Sequence, residues 1–503
     1  MSAPSTAITL ASLATHYPAL QIVLPLVAAP VVVLLRGTRL VWLIAFAVTL
    51  ACLGIAVDLY TQVLQQGEIR YAMGGWAPPV GIEYRVDRFN GLMLILICAI
   101  AAVVLPFART SVEKEVSSNR LSLFWAAWLL CFTGLLGIVI TGDAFNVFVF
   151  LEVSSLATYA LIACARDRRA LTSAFQYLIM GTIGATFILI GIGLLYMLTG
   201  TLNMADLAQR LPAVTQARTL NAAFGFIVVG CSLKLALFPL HLWMPNAYAF
   251  APSAVTAFIA ATATKVSIYV MLRFFFTVFG AEFSFGSMPL GEVLMTLSII
   301  AMFSGSLVAI YERNVKRMLA YSSVAQIGYI TLGISLATSS GLAAGMLHLI
   351  NHAVIKAGLF MTMGAVVYRL GSCRLDQLSG LGKQMPWTMA AFVAGGLSLI
   401  GVPLTTGFVS KWHLASAGFG AGLPLVPVAI LASSLLAVIY VWKVIETAYL
   451  RSPLENATPV KEAPISLLIP MWIMVAANFA FGIQGTVIWQ AVQQAAVQLR
   501  GGV

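Results

Sequence analysis

Charge is scarce in this chain. Asp, Glu, Lys and Arg together make up 9% of 503 residues, against 60% hydrophobic residues. Soluble domains are about a quarter charged, so composition alone excludes a soluble globular fold. Acids are the rarer sign, 17 against 28 basic residues, and there are only five histidines and six cysteines. Cys52, Cys98, Cys131, Cys164, Cys231 and Cys373 stand apart with no CxxC pair and no Cys/His ligand spacing. That excludes a disulfide framework and a cysteine-built metal site, and leaves them as small core residues. The chain also lacks a P-loop, a strand followed by GxGxxG, and a CxxCH sequence. No ATP, NAD, iron–sulfur or c-type haem chemistry is therefore expected, and no cofactor or metal. Work done by such a chain must draw on an ion gradient or on energy passed from a partner.

Long apolar runs are abundant. A bilayer crossing needs roughly 20 mostly apolar residues, and about fourteen windows qualify: 19–35, 39–59, 90–108, 121–140, 144–164, 171–199, 221–244, 253–277, 290–311, 318–337, 340–366, 387–418, 424–450 and 464–485. The expected fold is an all-α polytopic membrane protein. Windows 171–199, 340–366 and 387–418 are long enough to need tilt, a break or extra-membrane turns. The first twenty residues lack the basic start and compact apolar block of a signal peptide, and are expected to lead into the first span of the mature chain. Sixteen basic residues fall in odd-numbered loops, among them Arg36, Lys114, Arg166, Lys316 and Arg369, against seven in even loops and the C-terminal tail: Arg70, Arg85, Arg88, Arg210, Arg218, Arg273 and Arg500. This bias predicts odd loops and the cytoplasm on one side, with both termini outside. The net charge of +11 is then mostly topology, and no nucleic-acid partner is expected.

Five lysines fall within spans: Lys234, Lys265, Lys356, Lys411 and Lys443. A lysine at membrane depth costs about 2.5–3.5 kcal/mol on insertion scales and normally faces the bundle interior or a pathway. Lys443 lies close to a helix end with Glu446 nearby, where snorkelling or a local ion pair accounts for it. Glu152, in "FNVFVFLEVSSLATYALIA", lies mid-span among apolar residues, so its partner must come from another helix. His348, His352 and Lys356, in "HLINHAVIKAGLF", advance one helical turn at a time and form a polar stripe on one face. Two histidines one turn apart cannot ligate one haem iron from opposite faces, and no carboxylate accompanies them for another metal. A proton wire fits these residue types, because imidazole titrates near neutral pH; polar helix-packing contacts are the simpler alternative. His241 could satisfy a carbonyl freed at a helix break as readily as pass a proton. His413 lies on a different face near Lys411, and His16 is expected at the surface.

Two spans are interrupted by proline beside these charges: the seventh by Pro239 and Pro245 just after Lys234, the twelfth by Pro403 just before Lys411. Freed backbone groups at membrane depth are tolerated only where protein or water satisfies them. Broken helices in corresponding positions of two halves point to an inverted-repeat transporter. The expected organisation is 1–120 with spans 1–3, 121–277 as a first five-helix repeat (spans 4–8), 278–450 as a second (spans 9–13), and 451–503 with span 14 and the tail.

Five stretches in order, "FNVFVFLEVSSLATYALI", "LKLALFPLHLWMPNAYAFAPSAVTAFIAATATKVSIYVMLR", "RNVKRMLAYSSVAQIGYI", "HLINHAVIKAGLF" and "GFVSKW", resemble the antiporter-like subunits shared by respiratory complex I, membrane-bound hydrogenases and Mrp-type cation/proton antiporters. The resemblance runs from about residue 90 to 450. Within it, Tyr248 in "MPNAYAFAPSAV", the "TGDAFNVFVFLEV" stretch containing Asp143, and Lys411 are similar to the D-type branch of the Mrp antiporters. Asn246 and Ser267 depart from that branch, where aspartate and glycine are common. The resemblance implies an interhelical pair of Glu152 and Lys234 that sets the proton affinity of Lys234, Lys265 linking it to the bundle centre, His348 and His352 carrying the path onward with Lys356 beside them, and Lys411 as terminal exchange site. His241, Asp143 and Tyr248 are secondary candidates. Waters would bridge the gaps.

The function implied is proton translocation in an Mrp-type Na+/proton antiporter, in a bacterial inner membrane. Partners would be other membrane subunits, including a larger antiporter-like one, and lipids. A proton-pumping arm of a complex I-like or hydrogenase complex is the alternative. A non-conducting scaffold is disfavoured by the cost of burying these lysines and Glu152. The C-terminal "TVIWQAVQQAAVQLRGGV" is expected to form a short amphipathic helix docked outside the bundle or at an interface.

Overall fold

The computed structural model describes residues 14–35, 38–453 and 459–501. Arg36 and most of the N-terminal leader lie outside the described residues. Six helices come first: α1 (Tyr17–Leu34), α2 (Thr38–Gln66), α3 (Arg88–Glu115), α4 (Leu121–Ile140), α5 (Ala144–Ala163) and α6 (Arg169–Thr199). The seventh crossing is split into α7 (Ala217–Leu235) and α8 (Trp243–Phe250). Then follow α9 (Ser253–Leu272), α10 (Leu290–Tyr311), α11 (Val315–Ser335) and α12 (Ser339–Leu370). The twelfth crossing is split into α13 (Pro386–Ile400) and α14 (Thr406–Gly420), and α15 (Leu425–Tyr449), α16 (Ile465–Ile483) and α17 (Gly485–Leu499) complete the chain.

Among the described residues, twelve helices are long and apolar enough to cross a membrane. The other two expected crossings explain themselves physically. The α11 helix has 21 residues but carries serines, Gln326 and tyrosines, and it is buried along nearly its whole length, so protein rather than lipid surrounds its polar groups. The α13/α14 pair has two pieces of fifteen residues, each too short alone. Of the three over-long windows, 387–418 is therefore broken, whereas α6 and α12 run unbroken for 31 and 32 residues.

Both breaks fall where proline interrupts the sequence, with one refinement. Pro239 and Pro403 lie in the connecting turns, but Pro245 sits in the first turn of α8, where its missing N–H has no intrahelical partner to lose. The first break is made by Ala236 in the left-handed region (φ 61°), which closes α7 one residue past Leu235. The second uses Gly401 at φ 95°, a conformation that only glycine adopts freely.

Helix starts follow local side-chain chemistry. Asp87 caps α3 by accepting from the Phe89 and Asn90 amides at 2.9 and 3.0 Å, while the Asn90 side chain accepts from the Asp87 amide at 2.6 Å. Thr338 caps α12 through the Gly341 amide at 3.0 Å. Between α2 and α3 the chain forms a hairpin absent from the helix-only expectation, β1 (Ile69–Ala72) antiparallel to β2 (Glu83–Val86), with Ile69 opposite Val86. Buried Glu83 of that hairpin accepts from Asn203 at 3.1 Å, tying it to the segment after α6.

The long helix α12 is the hub. It packs against α3, α9, α11, α13, α14, α16 and α17. The C-terminal segment forms the expected helix, α17, which packs against α12 and α3: Trp489 stacks on His413 at 3.7 Å, and Arg500 donates to Ser339 at 3.1 Å. His16 is exposed and bonds the Tyr71 hydroxyl at 2.9 Å. Five of the six cysteines are buried and all are free.

Two basic residues assigned to loops from sequence belong inside. Arg273 continues α9 and forms a buried ion pair with Asp87 at 2.6 Å, while its Nε donates to the Tyr269 hydroxyl at 2.8 Å. Lys316 lies in the first turn of α11, 2% exposed. Charge counting along the chain cannot separate a loop cation from one folded under a neighbouring helix. The Asp87–Arg273 pair yields a stability prediction: Asp87→Ala strands a buried guanidinium and is expected to cost about 3–5 kcal/mol, read as a lowered thermal transition in detergent.

Candidate functional site

The interior lysines and histidines lie on helices that pack side by side. The α7 helix contacts α9, α9 contacts α12, α12 contacts α14, and α14 contacts α15. Glu152 on α5 opens the file, Lys234, Lys265, the α12 residues and Lys411 follow, and α15 closes it.

At the first end, Lys234 occupies the last turn of α7, 6% exposed. Its Nζ donates to Ser155 Oγ at 2.8 Å and stands 3.6 Å from Glu152 Oε1. Ser155 lies three residues beyond Glu152, so one face of α5 supplies both the carboxylate and the hydroxyl. Trp243 at the start of α8 locks the break from the other side, donating from Nε1 to the Leu233 carbonyl at 3.0 Å and stacking on Tyr177 at 4.0 Å.

At the centre, Lys265 is 1% exposed and its Nζ donates to the Ala260 carbonyl and to Thr264 Oγ1 at 3.3 Å. Lys356, His348 and His352 are fully buried. The two imidazoles lie parallel, 6.3 Å apart with an interplanar angle of 5°, as one helical turn dictates. Lys356 turns away toward α11, donating to the Leu319 carbonyl at 2.7 Å and to Ser322 Oγ. His348 is satisfied on both nitrogens, by Ser410 Oγ and Gln326 Oε1, each at 2.9 Å. His352 has no hydrogen-bond partner on either nitrogen. A buried imidazole so placed needs a partner, and bridging water is the ordinary one.

At the far end, all three Nζ donors of Lys411 are engaged: Leu399 O at 3.0 Å, Ile400 O at 2.9 Å and Ser434 Oγ at 3.0 Å. The two carbonyls are the last of α13, so a lysine from the second half-helix caps the negative end of the first. Tyr329 completes this corner, its ring 4.8 Å from Lys411 Nζ and 5.5 Å from the His348 ring, its hydroxyl 3.3 Å from Ser434. Ser410, adjacent to Lys411, links back to His348. Lys443 behaves differently from its sequence reading: it bonds the Ile310 carbonyl at 2.8 Å at the end of α10, while Glu446 pairs with Arg451 at 3.0 Å.

The secondary candidates separate. Tyr248 on α8 is buried and meets the Phe360 ring edge-on at 5.9 Å, beside Lys356. His241 lies in the break turn, stacked on Phe238 at 5.4 Å, with Nδ1 unpartnered. Asp143 caps α5, accepting from the Asn146 amide at 2.7 Å. Burial pushes its carboxyl up from the ordinary aspartate value, against the pull of that amide. Nine residues separate Asp143 from Glu152 along α5, about 14 Å, so it stands apart from the file.

Ser155, Ser322, Gln326, Tyr329, Ser410 and Ser434 hold the charged groups and were not singled out from sequence. Ser322, Gln326 and Tyr329 recur at i, i+4 and i+7, a polar stripe on a buried helix that periodicity could have found.

Two broken helices in a multi-crossing bundle, with a carboxylate–lysine pair at one break and a capped lysine at the other, are the features this chain brings to a membrane subunit of the antiporter-like class. Residues 141–438 match the family described as NADH:quinone oxidoreductase/Mrp antiporter, TM, and the chain belongs to that family. It is 40% identical over 500 residues to NADH-quinone oxidoreductase subunit N of Desulforudis audaxviator, covering 96% of this chain and 99% of that protein. It is 30% identical over 445 residues to the D-type Na(+)/H(+) antiporter subunit of Alkalihalophilus pseudofirmus, covering 88% of each. A chain in the structure of the Mrp complex from Dietzia sp. DQ12-45-1b superposes with a TM-score of 0.89 at 28% identity, over 97% of this chain and 98% of that one.

The Lys411 corner carries its own prediction. A Cβ on Gly407 would lie 1.8 Å from the Ser398 carbonyl oxygen, so Gly407→Ala must push α14 away from α13. The expected cost is about 1–3 kcal/mol, measured as a lowered thermal transition.

Proposed function

We propose that this chain is a proton-translocating subunit of an Mrp-type Na+/proton antiporter, passing protons sideways through Glu152, Lys234, Lys265, His348, His352, Lys356 and Lys411. The observation that carries the reading is the Glu152–Lys234 pair at the α7 break, 3.6 Å long and with only one hydroxyl to hold the ammonium besides. A carboxylate that near favours the protonated amine, and lengthening the pair favours release. Small shifts of α5 against α7 would therefore load or unload Lys234. Protons then need intermediate donors and acceptors, which Lys265 and the unpartnered His352 supply with bridging water. The Lys411 cap is neutral apart from the lysine itself, so an incoming proton meets carbonyls and a hydroxyl that stabilise the ammonium without trapping it in an ion pair.

Glu152→Gln in the purified assembly, reconstituted in proteoliposomes, is expected to abolish proton movement driven by a Na+ gradient, read with an internal pH dye. His348→Ala with His352→Ala is expected to slow it strongly while the assembly stays intact on gel filtration. Wild-type rates in the histidine pair variant would remove the stripe from the path.

The relationship to subunit N of Desulforudis audaxviator favours a second reading, the proton-pumping membrane arm of a redox complex. Mass spectrometry of the partners that co-purify with the tagged chain separates the two. Small hydrophobic subunits and a larger antiporter-like chain support the antiporter; iron–sulfur or flavin subunits support the redox complex and overturn the first reading.

A further inference from the structure

A concentration of cationic side chains surrounds a cavity away from the lysine file, at the ends of helices joined by odd loops. There α3, the start of α6, the end of α8, α11 and α12 meet around a cavity of about 580 Å³ lined by Lys114, Arg166, Arg169, Lys316, Arg369 and Arg374, with only Glu115 and Asp167 of the opposite sign. That size falls in the range of small-molecule sites, roughly 300–1,000 Å³.

Two carboxylates face six cations, and each has its own partners. Asp167 is taken by Arg169 at 2.7 Å. Glu115 accepts from Ser111 Oγ at 2.6 Å and from the amide and hydroxyl of Ser253 at 2.9 and 3.0 Å. Among the described residues no carboxylate pairs with Lys114, Arg166, Lys316 or Arg369. Lys316 bonds the Ala251 carbonyl at 3.0 Å and Ser253 Oγ at 3.3 Å, and it forms a buried cationic floor. Tyr368 stands at the rim with Lys114 4.0 Å above its ring and Arg369 at 5.6 Å, an arrangement of aromatic and basic groups suited to the depth of lipid headgroups.

We infer that this cavity binds a phosphate group, and that its source is the headgroup of an anionic phospholipid. Positive loops alone require no cavity, whereas a concave wall whose cations Lys114, Arg166 and Arg369 are held by backbone carbonyls and by no carboxylate, with a buried lysine beneath them, is the arrangement that recognises lipid phosphates between helix ends. Free phosphate offers the same chemistry, and the test separates the two. The inference does not depend on the transport reading.

The assembly is purified, placed in phosphatidylcholine nanodiscs with or without phosphatidylglycerol, and compared by thermal melting and by native mass spectrometry for retained lipid; inorganic phosphate is added in a parallel arm. Wild type is expected to melt higher with phosphatidylglycerol and to retain it. The double variant Arg166→Gln, Arg369→Gln removes two cations from the partly exposed wall and is expected to weaken binding by about tenfold or more. Arg168→Gln, in the same loop as Arg166 but outside the cavity lining, is expected to bind as wild type does. Stabilisation by inorganic phosphate that the double variant loses supports the phosphate site with a soluble source. Absence of any effect of lipid and phosphate on wild type, or equal weakening by Arg168→Gln, overturns the inference.

Discussion

Holding an ammonium group without water is the constraint from which the interior of this protein follows. Each buried lysine is costly at membrane depth, and apolar side chains offer nothing to hold it. The acceptors come from two sources. One is the backbone: carbonyls at helix ends, Leu399 and Ile400 for Lys411 and Ile310 for Lys443, and carbonyls within helices, Ala260 for Lys265 and Leu319 for Lys356. The other is short hydroxyls, Thr264 beside Lys265 and Ser155, Ser322 and Ser434 on neighbouring helices. The breaks in the seventh and twelfth crossings are thus part of the electrostatics as well as of the shape. A continuous twelfth helix would tie the carbonyls of Leu399 and Ile400 to its own amides, and Lys411 would lose two of its three partners.

The two ends of the lysine file solve the same problem differently, and the difference bears on function. Lys234 meets a carboxylate, so its charge state is coupled to the position of α5. Lys411 meets only neutral acceptors, so its charge state is coupled to the geometry of its own broken helix and of α15. Between them stand groups with spare hydrogen-bonding capacity, His352 above all. A chain of such sites is poised to respond to small helix displacements, because each link is set by one or two distances of about 3 Å.

Much of this was legible in the chain itself. Twelve of the fourteen apolar windows correspond to helices long and apolar enough to cross a membrane among the described residues, and Pro239 and Pro403 mark both breaks. Glu152 stands out as a mid-span acid because nothing nearby on its own helix can pair with it; that its partner is Lys234 came from the family resemblance. What escaped the linear reading shares one cause. Lys316 and Arg273 look like loop cations because burial under another helix leaves no trace in local hydropathy. Asp143 looks like a site residue by its neighbourhood in the sequence, yet it is held at a helix start about 14 Å from Glu152. The hairpin at Ile69–Ala72 and Glu83–Val86 lay in a polar segment where helix periodicity is silent.

Composition and short-range periodicity were enough to establish the membrane class, the places where helices break and the buried lysines Lys234, Lys265, Lys356 and Lys411. All of these are properties of neighbouring residues, and a linear chain displays them directly. Helix packing set the rest: which acceptors hold each lysine, that Lys411 reaches back to the end of α13, that His348 is satisfied while His352 is not, and that scattered basic loops close into one cavity. Those outcomes depend on distances between residues tens to hundreds of positions apart, such as Lys234 to Ser155 or Lys411 to Ser434, and no local pattern encodes them.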